Sequence, residues 1–261
     1  MVDVHTHLLF GVDDGPETLG ESIELVKLGK KLGYKEFILT SHFAKGRFKN
    51  QNYDKNFEIL NEACKKLNLD VVFHRGNEVY LDENLDVVLK EKTFNTVGGR
   101  YLLVEFSPLT PVKVGEGMLA RVMRHGYIPI LAHVERYRNF TGSDIVRIKK
   151  MGVKVQVNIS GACSSKRVER LLKEGYIDFL GSDAHKMGKR DYNLESELLY
   201  IKSIVEKRVF RKILLTNGRD ILKGKEIKED FGDEEKVSNW SFFSTIFGGI
   251  FKGNWARGDS K

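Results

Sequence analysis

The feature that most narrows what this chain can fold into is the position of its histidines and acids relative to its apolar runs. Runs at residues 2–7, 37–42, 71–78, 101–106, 128–133, 153–158 and 178–182 read as seven strands. Six of them carry, at their carboxyl end or within three residues of it, a side chain that can bind a metal. His5 and His7 close the first, His42 the second, Glu78 the third, Glu105 the fourth and His133 the fifth, while Asp183 and His185 follow the last. Between the runs lie segments of helical periodicity at 19–32, 53–67, 116–125, 145–151 and 168–173, several ending at a glycine suited to a helix stop: Gly33, Gly126, Gly152 and Gly175. Strand, helix, strand repeated to residue 182 implies an α/β fold with a parallel sheet. With no long linker in the series, one closed or nearly closed barrel is expected in place of two domains. In a barrel the carboxyl ends of the strands meet on one face, so ligands distant in sequence converge there.

The residue types point to hydrolytic metal chemistry. His5 and His7, one residue apart on an extended strand, point to the same side, as two ligands of one ion must, and the next loop adds Asp13 and Asp14. Imidazole mixed with carboxylate suits Mn, Fe or Zn, and the shortage of thiols argues against a structural zinc site. A carboxylate such as Glu78 can bridge two ions about 3.5 to 4 Å apart, the spacing used to activate water and neutralise a phosphoryl transition state. His74 and His125 end no strand and read as surface or hydrogen-bonded residues. Buried histidines and acids are costly without partners or metal, so their concentration at strand ends is not readily a coincidence.

Composition sets the frame. The chain has 261 residues, 41% of them apolar, and a net charge of +7 spread through mixed segments; this permits one large domain and only mildly favours phosphorylated partners. No nucleic-acid partner is expected. The start lacks the basic and apolar stretches of a signal peptide, and no run approaches the roughly 20 apolar residues of a membrane span, so a cytoplasmic enzyme is expected, membrane-associated only through a partner or its tail. Cys64 and Cys163 are expected to be reduced. A cysteine-dependent phosphatase needs an arginine six residues after its thiolate, and Asp70 and Glu169 occupy those positions. Helical patterns at 194–205 and 209–215 lead to a turn at Asn217-Gly218, giving a domain at 1–222 followed by a charged linker and aromatic tail at 223–261. The apolar part of that tail, 237–255, is a candidate contact for a neighbouring subunit or a membrane surface. Gly115-Glu116-Gly117 is only a fragment of a dinucleotide fingerprint.

The strings Val2-Asp3-Val4-His5-Thr6-His7, Asp13-Asp14-Gly15-Pro16, Thr40-Ser41-His42, Gly76-Asn77-Glu78, Ala132-His133-Val134-Glu135-Arg136-Tyr137 and Ser182-Asp183-Ala184-His185 resemble, in order and spacing, the PHP superfamily, and more narrowly its bacterial capsule-associated protein-tyrosine phosphatases. The resemblance spans about residues 1 to 222. It implies a distorted seven-stranded TIM-like (β/α)7 barrel holding two or three divalent ions, often manganese, beside a phosphotyrosine pocket. It would place one ion on His5, His7, Glu78 and Asp183, a second on Glu78, Glu105 and His133, and a third on Asp14, His42 and His185. Arg136 and Arg190 would hold the phosphate, since a guanidinium fork matches its oxygens, with Lys45, Arg47 and Arg138 as further substrate contacts. One departure stands out: Phe43 and Ala44 directly follow His42, where relatives often place basic residues. The implied substrate is a phosphotyrosine protein, such as a tyrosine kinase of polysaccharide export. A small-metabolite phosphatase of the same superfamily acting on a substrate such as histidinol phosphate, a nuclease-like relative, and a non-catalytic metal-binding regulatory module remain alternatives.

Overall fold

The computed structural model describes residues 1–48, 51–163 and 165–227; the aromatic tail segment 237–255 lies outside the described residues. The chain runs β1 (Val2–Thr6), α1 (Leu19–Lys31), β2 (Glu36–Leu39), β3 (His42–Phe43), α2 (Tyr53–Lys66), β4 (Val72–Arg75), β5 (Glu78–Tyr80), α3 (Leu85–Glu91), β6 (Tyr101–Glu105), α4 (Val112–Arg124), β7 (Ile128–Leu131), α5 (Gly142–Lys150), β8 (Lys154–Asn158), α6 (Lys166–Lys173), β9 (Phe179–Gly181), α7 (Glu195–Ile204), α8 (Lys207–Arg211) and α9 (Asn217–Leu222). Every strand pairing is parallel. The strands form a three-stranded sheet, β1-β2-β4, and a six-stranded curled sheet, β3-β5-β6-β7-β8-β9. The α/β class and parallel sheet therefore match the sequence reading.

The expected seven strands are resolved into nine segments, because the runs at 37–42 and 71–78 each break in two. The cause is local. Tyr53, from α2, inserts its hydroxyl between the two runs, donating to the Leu39 carbonyl at 2.6 Å and accepting from the Gly76 amide at 3.2 Å, so a side chain takes bonds that a continuous ladder would make. Thr40 Oγ1 likewise accepts from the Thr6 amide, and Glu78 N then donates to the carbonyls of Thr40 and Ser41. At the other edge, a bridge between Thr6 and Ala184 joins the end of the β9 segment to β1. Asp3, fully buried, holds that seam by accepting from the Ser182 amide at 3.1 Å and from the Tyr192 hydroxyl at 2.8 Å.

Strand alternation splits the core in two. Phe37, Leu39, Val79, Val104, Val155 and Val157 pack beneath the helices in the larger cluster. Ile38, Tyr101, Leu103, Ile130 and Phe179 face the opposite side with Val2 and Val4. On that second side, apolar residues give way at the carboxyl ends to Glu78, Glu105, Gln156 and Asn158, and this polar collar is where the site forms.

The glycine stops hold, with φ of 102° at Gly33, 86° at Gly126, 104° at Gly152 and 74° at Gly175. The turn expected at Asn217-Gly218 is corrected: a π-helical segment, Lys212–Thr216, runs directly into α9. Asn217 donates its amide to the Asp178 carbonyl, and a Cβ at Gly218 would lie 2.9 Å from Val2 Cβ, so this pair serves close packing in a helix where an isolated Asn-Gly suggests a turn. The Gly115-Glu116-Gly117 fragment lies inside α4, where Gly115 packs against Phe106 and Phe140. No described helix is long and apolar enough to cross a membrane.

Beneath the sheet, Lys149 places Nζ 2.7 Å from both carboxylate oxygens of Asp178, with 3% and 4% of the two residues exposed. Removing one charge from a buried pair strands the other. Lys149→Met is expected to lower unfolding free energy by about 3 kcal/mol, seen as a lower urea midpoint at unchanged slope; a loss below about 1 kcal/mol would mean that the other partners of Asp178, the Val155 amide among them, suffice for it.

Candidate metal centre

All nine residues expected as ligands meet at the polar collar. His5 Nε2 lies 3.1 Å from His7 Nε2 and 3.4 Å from both Glu78 Oε1 and Asp183 Oδ1. His133 Nε2 sits 2.9 Å from Glu78 Oε1 and 3.2 Å from Glu105 Oε2. His42 Nδ1 is 3.0 Å from Glu78 Oε2 and 3.3 Å from Glu105 Oε1, while its Nε2 is 3.4 Å from Asp14 Oδ1. His185 Nε2 completes the set 3.3 Å from Asp14 Oδ1. Three compact donor groups result: His5, His7 and Asp183; His42, Glu78 and Glu105; and His7, Asp14, His42 and His185. Glu78 turns one oxygen to His5 and His133 and the other to His7 and His42, the disposition of a bridging carboxylate.

Backbone geometry aims these side chains. His133 and Asp183 have φ of 34° and 53°, in the left-handed region that non-glycine residues seldom occupy. Such conformations cost about 1 to 3 kcal/mol each and persist where the surroundings over-determine them. Asp13 holds His7 from behind, its Oδ2 2.7 Å from His7 Nδ1 and also accepting from the His42 amide at 2.9 Å.

Electrostatics fit a cation site. Burial opposes charge on His7, His42 and His133, yet the surrounding carboxylates outweigh it: Asp13 and Glu78 raise His7 to about 9, Glu105 and Glu78 raise His42 to about 11, and the same two acids raise His133 to about 10. Burial would raise Glu78 and Asp183, but adjacent imidazoles, with Arg136 beside Asp183, hold both well below the usual carboxylate range. Burial and the neighbouring His7 push His185 down to about 4, leaving it a neutral lone-pair donor. Its Nε2 is buried without a hydrogen-bond partner among the described residues. A donor set of nitrogen and oxygen atoms with no thiolate, an imidazole nitrogen without a hydrogen-bond partner and buried carboxylates crowded by imidazoles suits hard or borderline divalent cations.

Arg136 and Arg190 converge on the second oxygen of Asp183, Arg190 Nη1 at 2.9 Å. Both are partly open to solvent, at 36% and 42% of the side chain. A recess of about 240 Å3 beside the cluster is lined by Asp14, His185, Lys186, Lys189 and Arg190. The other expected substrate contacts lie farther out. Lys45 pairs with Glu91 at 3.0 Å, and Arg47 covers the Tyr80 ring at 5.9 Å. Arg138 lines a separate groove of about 1210 Å3 between α5 and α6, together with Arg147 and Arg170. His74 pairs with Glu36 and His125 ends α4, outside the cluster as the sequence suggested. Sequence reasoning offered Asp13 only with Asp14 as part of the metal-competent loop, not as the support of His7, and assigned no role to Asp3, Gln156 or Asn158; for the last two, the Val-Gln-Val-Asn alternation of β8, polar residues on the side opposite the helices, was the available signal.

The chain matches the family model described as capsular polysaccharide synthesis, CpsB/CapC, over residues 1–223. The tyrosine-protein phosphatase CpsB of Streptococcus agalactiae is 30% identical over 239 residues, 85% of this chain and 98% of that protein. The tyrosine-protein phosphatase YwqE of Bacillus subtilis is 27% identical over 77% of this chain and 83% of its own length. Among crystal structures, one from the set described as YwqE from Bacillus subtilis and CpsB from Streptococcus pneumoniae, unique metal-dependent tyrosine phosphatases, superposes with a TM-score of 0.78 at 24% identity, covering 91% of this chain and 100% of that one. That likeness extends to the fold.

Two measurements test the site. Asp13→Ala should weaken manganese binding about 10- to 100-fold while leaving the far-UV spectrum intact, as losing the group that orients a ligand does elsewhere; unchanged affinity would remove Asp13 from the site's support. Because His7, His42 and His133 hold protons up to about pH 9 or beyond, a divalent cation bound through their nitrogens, manganese in the titration, would have to displace them. Calorimetry at pH 7 in buffers of different ionisation enthalpy should therefore report proton release, and heats independent of buffer would refute it.

Proposed function

Because this chain belongs to the CpsB/CapC family of capsular polysaccharide synthesis, we propose that it is a metal-dependent phosphatase that hydrolyses phosphotyrosine in proteins. Its substrate is then a phosphotyrosine protein, and a bacterial tyrosine kinase of polysaccharide export is the partner that best fits the family. In this reading the nine strand segments are seven staves of one distorted barrel, and the nine collar residues hold two or three divalent ions, manganese first, with iron or zinc as alternatives. Bound there, the cations supply positive charge to the phosphoryl group and lower the pKa of water.

The chain's own residues do the rest. Arg136 and Arg190 take the non-bridging phosphate oxygens, a role their shared hold on Asp183 prefigures, since a phosphate placed between them offers the same donors a second anion. Lys186 and Lys189, lining the recess, add positive charge where the phosphate enters. Glu78, His5, His7 and Asp183 keep the donor atoms fixed as charge spreads in the transition state. The single observation that carries the reading is this pair of guanidinium groups poised on one oxygen of a carboxylate whose other oxygen faces the imidazole cluster. Neither cysteine takes part: Cys64 is buried and Cys163 lies outside the collar, with burial raising both thiols. The small-metabolite and non-catalytic alternatives remain tied to the same collar and are separated by substrate.

Arg136→Ala should retain its manganese and lose roughly 30- to several-hundredfold in kcat/KM on a phosphotyrosine peptide, about 2 to 4 kcal/mol of transition-state stabilisation. His133→Ala should lose both metal and turnover. Full efficiency in Arg136→Ala would overturn that residue's assignment. Faster turnover of histidinol phosphate than of the peptide would favour the metabolite reading, and no hydrolysis of para-nitrophenyl phosphate by manganese-loaded protein would favour the non-catalytic one.

A further inference from the structure

We infer that Gln156 and Asn158, on a strand that contributes no ligand, form an amide relay that sets the tautomer of His5 and the orientation of Asp183, and so governs how tightly the centre holds metal. The inference rests on the metal-binding part of the proposed function and not on its substrate.

The relay's orientation follows from one main-chain group. The amide of His133 donates to the side chain of Gln156 at 2.7 Å. An amide N–H can only donate, so the Gln156 atom facing it is the carbonyl oxygen and not the NH2. That same oxygen lies 3.1 Å from His5 Nδ1. An acceptor there requires Nδ1 of His5 to carry a proton, so the lone pair that the neutral ring can offer a cation is the one on Nε2, the atom that faces His7, Glu78 and Asp183. With its oxygen committed, Gln156 turns its NH2 to Asn158 Oδ1 at 2.9 Å. Asn158 must then present its own NH2, which donates to Asp183 Oδ2 at 2.8 Å. Asp183 Oδ1 is thereby left toward His5, His7 and His185.

Packing leaves the relay no slack. Gln156 is fully buried and Asn158 is 2% exposed. A Cβ added at Gly181 would lie 2.8 Å from both Gln156 Nε2 and His5 Cβ, so β9 needs a glycine where it passes the pair. Three collar residues from three separate stretches of chain, His5, His133 and Asp183, are thus indexed to one strand. The usual way of orienting a metal-bound imidazole is a carboxylate or main-chain carbonyl behind it; His7 has Asp13 in that place, and His5 has a neutral amide.

The test is Gln156→Leu, which keeps the volume and removes both the acceptor and the donor. Metal-stripped wild type and variant are compared in thermal melting, then titrated with manganese alone by calorimetry, with histidine 15N spectra of the metal-free proteins reporting the His5 tautomer. The expected result is manganese binding weakened about 10- to 100-fold, together with loss of the single Nδ1–H form of His5. Wild-type affinity in the folded variant, or a lower melting temperature with affinity unchanged, would overturn the relay. Should Gln156→Leu fail to fold, Asn158→Ala, which leaves the bonds to His5 and His133 in place, is titrated in the same way: weakened binding supports the relay and unchanged binding overturns it. A wild-type protein that binds no manganese would sink the metal reading itself, an outcome distinct from variants that bind as wild type does.

Discussion

The rest of this structure is organised around Glu78, a carboxylate 1% exposed with four imidazoles within 3.4 Å of its oxygens. An isolated charge at such depth is prohibitively unfavourable, so the residue is tolerable only if positive charge is brought to it. Five of the chain's seven histidines come to the collar to meet it and its three acidic neighbours. The resulting arrangement is balanced by imidazolium protons or by cations. That interchange couples the protonation of the site to its occupancy, and it explains why His7, His42 and His133 are held protonated while His185, crowded by His7, stays neutral.

Bringing those groups together is a task for residues that do not themselves face the cluster. Asp3 closes the seam between β1 and the segment after β9; Tyr53 ends the β2–β4 ladder and so frees His42 and Glu78 to start a new pairing, in which they stand opposite each other. Asp13 and Gln156 steady the two histidines of β1 from different directions, one with a charge and one with a neutral amide. Two of the four non-glycine left-handed residues among the described residues, His133 and Asp183, sit on the same collar. Local strain, a broken ladder and buried polar atoms are thus concentrated at one end of the sheets, while the opposite end is closed conventionally by Val2, Ile221 and Ile227.

Positive charge is arranged in layers around the collar. Arg136 and Arg190 touch Asp183, Lys186 and Lys189 line the recess beside it, and Lys45, Arg47 and Arg138 lie on outer loops with neighbours of their own. The gradation separates the arginines that touch Asp183 from basic groups held farther out by partners of their own. It also accounts for the modest net charge of +7: the field that matters is local and need not be expressed in the total.

The sequence by itself carried the parallel α/β class and most of the collar, because these depend on short-range regularities: period-two apolar runs, helical spacing, glycines at helix stops and metal-competent side chains at or near the ends of six of the seven runs; the full set of nine, with Asp14 in it, followed from the resemblance of its motifs to a known family. It could not show that two runs would break. That depends on the Tyr53 hydroxyl reaching Leu39 and Gly76 from another element, just as the helix at Asn217-Gly218, where such a pair normally turns, depends on Gly218 packing against Val2. Nor could it show that Arg138, expected as a further substrate contact, lines a separate groove while Arg136, two residues away, grips Asp183. Gln156 and Asn158 read as ordinary polar alternation until His5, His133 and Asp183 were placed around them. Ligand identity is written in residue type and local position, whereas ligand orientation is set by hydrogen bonds between segments more than a hundred residues apart, such as His5 and Gln156, and only the folded chain brings those together.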